Sequence, residues 1–305
     1  MHTGKICFNI RSMLLGMLPA VLLYVAMGLG PSIATFILSF TDISGIAGVP
    51  WKFIGLANYK EFFVQQNQRD LLQVIKNTVE FCILVTVIQN AVALAIAIVL
   101  NKKDLKRRNF YRAVIFLPVV LGALVTSLTW LTVLNPLGGP AESLLRIFGM
   151  SSGFFTANRQ ALEWTIFCQI WMAMGYSMVI NLAGLQSIPT ELYEAGEIDG
   201  ASKWNVFRYI TFPMLWPTIN VNLVLAVIGS LQSFQIILFT TGGKNMFTQT
   251  MAARVMFYGF NINAGSGAVA LRQGFGATWA MVLFVFILSF TLLYQRLMKG
   301  RNSEI

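Results

Sequence analysis

Apolar residues in this chain gather into long runs separated by short polar stretches. Six runs reach the roughly 20 residues that a helix needs to cross a bilayer, at 13–40, 79–100, 113–134, 161–187, 214–240 and 275–295. Each is expected to be a spanning α-helix. The first is long and carries Pro19 and Pro31, so it should tilt or kink. No Asp or Glu occupies the middle of a run; Glu80 and Glu163 stand at run ends. Gly, Pro, Ser and Thr within the runs suit helices that pack against one another rather than isolated anchors.

Composition leads to the same class. Hydrophobic residues make up 56% of the 305 and charged ones 11%, too few to give a soluble globule of this size its usual charged surface. The expected protein is all-α and integral to the membrane, one domain over residues 1–305 with no separate soluble unit. Lys and Arg set its orientation. The short connection between the second and third runs holds Lys102, Lys103, Lys106, Arg107, Arg108 and Arg112, a cluster that belongs in the cytoplasm. Lys5 and Arg11 lie around the start of the first run, and Arg296, Lys299 and Arg301 follow the last. Six spans with both termini in the cytoplasm satisfy all three stretches. The N-terminal run is too long for a signal peptide and lacks a convincing small-residue cleavage site, so it reads as a retained span.

The net charge of +10 does not argue for nucleic acid, because the basic residues sit where topology needs them and lack an aromatic-interleaved soluble platform. The 102–112 cluster reads first as a topology determinant, with anionic lipid headgroups as a secondary contact. Cys7, Cys82 and Cys168 are isolated, and His2 is the only histidine, so neither a disulfide framework nor a metal site is expected. Cys82 and Cys168 read as small buried hydrophobes.

Between the runs, ANYKEFF and QQNQRDLLQVIKN in the 41–78 connection are expected to form short surface helices, with Phe62 and Phe63 as interfacial anchors. Residues 135–160 read as a turn, NPLGGP, and a short amphipathic helix, AESLLRIFGM. Residues 241–274 are rich in Gly and Asn and carry Lys244, Arg254 and Arg272 but no acid.

No G-x-x-x-x-G-K-[ST] motif occurs, and the GGK at 242–244 lacks the rest of a phosphate cradle. No enzyme activity and no cofactor are therefore expected in this chain; ATP and its Mg would be bound by separate subunits. Proton coupling is disfavoured because the spans lack ionisable groups, while sodium coupling through backbone carbonyls stays open.

The most informative stretch is EAGEIDGASKWNVFRYITFP, Glu194 to Pro213, a polar island among apolar runs. Pro189 and Thr190 open a first short helix, with Thr190 as its expected N-cap and Glu191 and Glu194 near the positive end of its dipole. Asp199 and Gly200 should stop it. Ser202 should cap a second short helix carrying Trp204, Phe207 and Ile210, which Pro213 should end. Ala195, Gly196, Gly200 and Ala201 leave the first helix little bulk, so a partner's surface could approach its backbone.

This stretch resembles the cytoplasmic EAA loop of ATP-binding-cassette importer permeases, whose pattern runs E-A-A, three residues, G, nine residues, I-x-L-P. The matching positions are Glu194, Ala195, Gly196, Gly200, Ile210, Phe212 and Pro213, with Gly196 in place of the second Ala and Phe212 in place of Leu. Gly196 should weaken the helix by about 1 kcal/mol relative to Ala. LAGLQSIPTELYEAGEIDGAS, GLANYKEFF, YRAVIFLP and TTGGK are similar to the carbohydrate branch of that family, to its maltose and glycerol-3-phosphate permeases, over about residues 12–297. The resemblance implies a type I importer permease fold in a bacterial inner membrane, with residues 190–213 as cytoplasmic coupling helices. It implies a pair of ATPase subunits, an extracellular solute-binding protein, and a second, non-identical permease as partners. The ATPase contact would fall on Glu194, Ala195, Gly196, Asp199, Gly200, Ala201, Phe207, Ile210 and Pro213.

Two helical faces could line a pathway. Gln169, Met172, Ala173 and Tyr176 recur at i, i+3, i+4 and i+7 in the fourth run. Ala226, Gly229, Ser230 and Ser233 form a small, weakly polar face in the fifth. Such faces suit a neutral, hydroxyl-rich solute, although ordinary helix packing uses the same residue types. The resemblance places the first face, and Ser230, at positions that contact sugar in maltose-type permeases. Trp130 and Trp171 are expected to pack. The sequence thus reads as a permease subunit moving a sugar or oligosaccharide inward, powered by ATP hydrolysis elsewhere. The alternatives are a permease for a polyol phosphate or another anionic solute and a stand-alone secondary carrier.

Overall fold

The computed structural model describes residues 10–65, 68–102, 104–156, 159–243, 246–260 and 271–299. The expectations placed on His2, Lys5, Cys7, Lys103, Lys244 and Arg301 lie outside the described residues. Six helical segments are long and apolar enough to cross a membrane: Gly16–Leu38, Asp70–Leu100, Arg108–Val133, Gln160–Gln186, Lys203–Gln232 and Gln273–Arg296. Each overlaps one of the six apolar runs. Among the described residues the only β pairing is an isolated bridge between Thr41 and Phe53.

The first span is made of α1 (Ile10–Tyr24) and α2 (Gly30–Leu38), joined by a π turn over Val25–Leu29. The Gly30 N–H reaches back to the Val25 carbonyl, an i→i−5 bond placed just before Pro31, whose ring and missing N–H a regular turn would not accommodate. After a short α3 (Ala57–Lys60) and a second π turn, α4 runs from Gln68 to Leu100 without a break, 33 residues. At about 1.5 Å per residue that exceeds the roughly 30 Å hydrocarbon core. The polar 68–78 segment is therefore an extension of the second span rather than the separate surface helix expected of it.

Helices α4, α5 (Arg108–Val133), α7 (Gln160–Gln186) and α10 (Phe212–Gln232) form the central bundle, and α6 (Pro140–Ile147) is the short helix expected before α7. Where α5 crosses α7, a Cβ on Gly175 would stand 2.6 Å from the Ile115 carbonyl oxygen. The two backbones touch there, as small residues permit in membrane bundles. Within α5, Gly122 (φ 71, ψ 173) interrupts the helix and kinks it. Trp130 meets Phe167 and Trp171 edge to face at 4.7 and 5.5 Å.

A second group forms where α12 (Met251–Phe260) packs on α13 (Gln273–Lys299). Its centre is Trp279, fully buried, with Phe62, Met251 and Phe275 around it. Phe62 is 1% exposed and belongs to this core, not to an interfacial anchor; its neighbour Phe63 is 62% exposed. Arg272 donates to both Glu61 carboxylate oxygens, at 2.6 and 2.5 Å, and lies 4.5 Å from the Phe275 ring centroid. The Glu61 hydrogen bonds push the Arg272 pKa above its ordinary value, and the pair ties the start of α13 to the α3 region.

Candidate functional site

Helices α4, α7 and α10 enclose a cleft of about 230 Å³. From α7 it receives Gln169, Ala173, Tyr176 and Ser177, from α10 Asn222, Ala226, Gly229 and Ser230, and from α4 Val85 and Gln89. The two faces read from the sequence thus meet across one space. Ser177 ties its three walls together: Gln89 Nε2 donates to Ser177 Oγ at 2.7 Å, and Asn222 Nδ2 donates to the Ser177 carbonyl at 3.1 Å. Gln89, Ser177 and Asn222 are all buried. Sequence reasoning passed over them, although a lone amide in an apolar span is itself a signal, because polar groups at membrane depth are costly unless paired or used.

Gln169 accepts a hydrogen bond from Ser233 Oγ at 2.9 Å, and Ser230 Oγ donates to the Val227 carbonyl at 2.9 Å. The Tyr176 residue is 49% exposed. Met172 does not reach the cleft; it packs into the group of Leu134, Phe155 and Cys168 with Trp130. The expected sugar-facing role of Met172 is corrected accordingly, since the cleft face of α7 is turned towards Ser177. The fifth apolar run is also not one helix. α10 stops at Ser233, whose ψ of 115 leaves the helical region, and α11 restarts over Gln235–Thr241.

Past the end of α7, Pro189 leads into α8 (Thr190–Ile198). Pro189 itself holds the N-cap position and no side chain caps the helix, so Thr190 is the first helical residue rather than the cap. The C-terminus closes as a Schellman turn: Gly200 (φ 69) donates to the Glu197 carbonyl at 3.1 Å and Ala201 to the Gly196 carbonyl at 2.9 Å. A Cβ on Gly200 would meet nothing within 4 Å, so the turn projects freely from the chain. Ser202 then caps α9 (Lys203–Val206), its Oγ accepting from the Asn205 N–H at 3.3 Å.

Two further expectations for this hairpin change. A Cβ on Gly196 would lie 3.1 Å from Ile210 Cδ1 and 3.6 Å from Val206 Cγ2, so Gly196 is buried against the hairpin's own second arm and does not open α8 to a partner. Pro213 ends nothing. A π turn over Phe207–Thr211 carries α9 straight into α10, and its wider i→i−5 register, with the Phe212 N–H on the Phe207 carbonyl, accommodates Pro213 and its missing N–H. Phe207 lies between Trp204 and Phe212 in tilted ring contacts, with centroids 5.8 and 6.2 Å away. Glu194, Ala195 and Asp199 are exposed on α8 and its cap.

Comparison with known proteins adds to this geometry. Residues 90–301 match the family described as binding-protein-dependent transport system inner membrane component. The chain is 30% identical to the trehalose/maltose transport system permease protein of Thermococcus litoralis, over 95% of this chain and 94% of that one. It is 30% identical to the sn-glycerol-3-phosphate transport system permease protein of Agrobacterium fabrum, over 83% of each. A chain from the crystal structure of a bacterial alginate ABC transporter, in complex with an alginate pentasaccharide-bound periplasmic protein, superposes with a TM-score of 0.79 over 95% of both chains. Its 20% identity makes this a likeness of fold.

Proposed function

The chain belongs to the family of binding-protein-dependent transport system inner membrane components, and from that premise we propose that it forms one half of the translocation path for a sugar or oligosaccharide. A solute-binding protein delivers the sugar on the outer side. A pair of ATPase subunits, which hold ATP and Mg, engages the α8–α9 hairpin from the cytoplasm, and a second, non-identical permease completes the path. Both termini lie in the cytoplasm.

One observation carries this reading. The hairpin is joined to both helices that face each other across the cleft, to α7 through the short Ser187–Pro189 link and to α10 directly. Force applied to Glu194, Ala195, Asp199, Gly200 or Ala201 is therefore delivered to the walls bearing Gln169, Ala173 and Tyr176 on one side and Ser230 on the other. Gly196, Phe207, Ile210 and Pro213 serve by stiffening the hairpin and its junction with α10. Drawing the hairpins of two permeases together would rock these walls and switch the cleft between inward and outward access. The chain itself performs no chemistry.

The lining favours a neutral, hydroxyl-rich solute over a polyol phosphate, because no Lys or Arg is among the residues around the cleft. The energy source is tested in cells or in vesicles energised by ATP. Uptake should persist under a proton uncoupler while ATP is maintained and should stop when the partner ATPase is inactivated. Uptake that follows the proton gradient at constant ATP would instead make the chain a secondary carrier.

A further inference from the structure

The connection between α4 and α5 joins two features that the transport path leaves unused. Lys102, Lys106, Arg107 and Arg112 are exposed and Arg108 is half-buried. Among the described residues the ion pairs are Glu142–Arg146 and Glu61–Arg272 alone, so none of these five cations is neutralised, not even by the nearby Asp104. Beside them lies an open apolar groove of about 400 Å³ between the end of α4 and the start of α5, lined by Ala95, Val99, Leu100, Leu105, Tyr111 and Ile115.

The cations and the groove share a helix face. Arg108, Tyr111, Arg112 and Ile115 follow the i, i+3, i+4, i+7 spacing of one stripe of α5. Tyr111 and Ile115 line the groove, which sets Arg108 and Arg112 at its aqueous end. The N-terminus of α5 has no side-chain cap, so its dipole adds to the positive field there.

We propose that this groove and its basic rim hold an anionic phospholipid, with an acyl chain along the α4–α5 groove and the headgroup phosphate on Arg108 and Arg112. Planar guanidinium groups suit the phosphate oxygens, and Lys102, Lys106 and Arg107 widen the attractive field. A soluble anion would have no use for the apolar lining. An apolar partner helix would leave the cations unmatched. Two crossings, by α5 and α7, separate this site from the α8–α9 hairpin and put both on the same side of the membrane, so the lipid comes from the leaflet on the hairpin side.

The assembled transporter, placed in nanodiscs of phosphatidylcholine with and without phosphatidylglycerol, tests this by the lipid that stays bound after detergent extraction. The wild type should retain phosphatidylglycerol in preference to phosphatidylcholine. Arg108→Gln with Arg112→Gln should lower that enrichment roughly thirtyfold, from the attraction typical of two basic side chains near an anionic surface. Ala95→Phe, at an exposed position in the groove, should displace the acyl chain and lower the enrichment while every charge remains. Unchanged enrichment in either variant overturns the proposal; if only Ala95→Phe is silent, the cations form a plain electrostatic surface. If the double Gln variant sheds ATPase subunits but keeps its lipid, a protein partner covers this rim and the proposal fails.

Discussion

The cleft and the α8–α9 hairpin each oppose the polarity around them, in opposite senses. In the cleft, hydrogen-bonding side chains stand inside an apolar bundle. Gln89 and Asn222 each donate to Ser177, Gln169 accepts from Ser233 and Ser230 donates to the Val227 carbonyl, and the amide groups have more hydrogen-bonding capacity than these bonds use. At membrane depth such capacity is expensive to leave idle, so the matching ligand brings its own donors and acceptors, as a sugar does. The hairpin presents the reverse: Ile198, Trp204 and Tyr209 are 86%, 65% and 71% exposed on a polar segment. Large apolar groups held out from a polar stretch match a protein surface. On the proposed reading one region takes a small polar guest and the other a macromolecular partner, and α7 and α10 run between them.

Separating the two ends of this linkage gives the largest expected effect. Gly200→Leu should abolish sugar-stimulated ATP hydrolysis in the reconstituted transporter while membrane insertion persists. The leucine faces open space, where it would meet the docking ATPase, and it must also adopt a φ of 69, at a cost of about 1–2 kcal/mol. Gly200→Asn sharpens the point, since Asn tolerates that backbone. If bulk at the tip matters, Asn should be impaired as well; if only the Schellman turn matters, Asn should retain most coupling. Wild-type transport by Gly200→Leu would remove the hairpin from the coupling path.

The next largest effect lies at the other end. Ala173→Trp would place an indole in the 230 Å³ cleft and should abolish transport, leaving hydrolysis of ATP in the absence of sugar near its normal level. Uptake at the wild-type rate would show that solute passes elsewhere. The contrast with Gly200→Leu is diagnostic: a cleft variant should keep its ATPase subunits docked, and a hairpin variant should keep its cleft.

The sequence made some of this legible and hid the rest for physical reasons. Hydropathy located all six spans because the bilayer demands length and apolarity together. It missed their ends where helical hydrogen bonding simply continues into water, as at 68–78 of α4 and at Lys203–Thr211 leading into α10. Pro213 misled because proline is read as a breaker, yet a π turn absorbs it. Met172 misled because a four-residue stripe covers more of a helix than one cleft touches, and which edge faces the cleft depends on how α7 packs on α4 and α10. Ser177, the residue that ties the walls together, looks like any small residue in a span; only its two long-range hydrogen bonds distinguish it. Gly196, chosen from the sequence as room for a partner, makes room for Ile210 instead, an intramolecular close approach that no linear motif discloses.

The smallest effects come from single polar groups in the cleft. Gln169→Ala removes an amide that can meet a sugar hydroxyl, and one such hydrogen bond is typically worth about 0.5–1.5 kcal/mol, or roughly a two- to twelvefold loss of apparent affinity. The variant also deprives Ser233 of its acceptor, so some loss could come from loosening the α10–α11 junction. Tyr176→Phe separates the two contributions, because no hydrogen bond ties its hydroxyl to the described residues and its ring stays in place. A several-fold rise in the sugar concentration needed for half-maximal uptake in both variants, with expression and basal ATP hydrolysis unchanged, would assign both groups to the sugar. A loss confined to Gln169→Ala would make Gln169 a brace for Ser233 and leave sugar recognition to Ser230 and the α4 wall. If neither variant changes uptake, and a cysteine at position 173 resists labelling from both sides in every nucleotide state, the face is packing and the path runs along other spans.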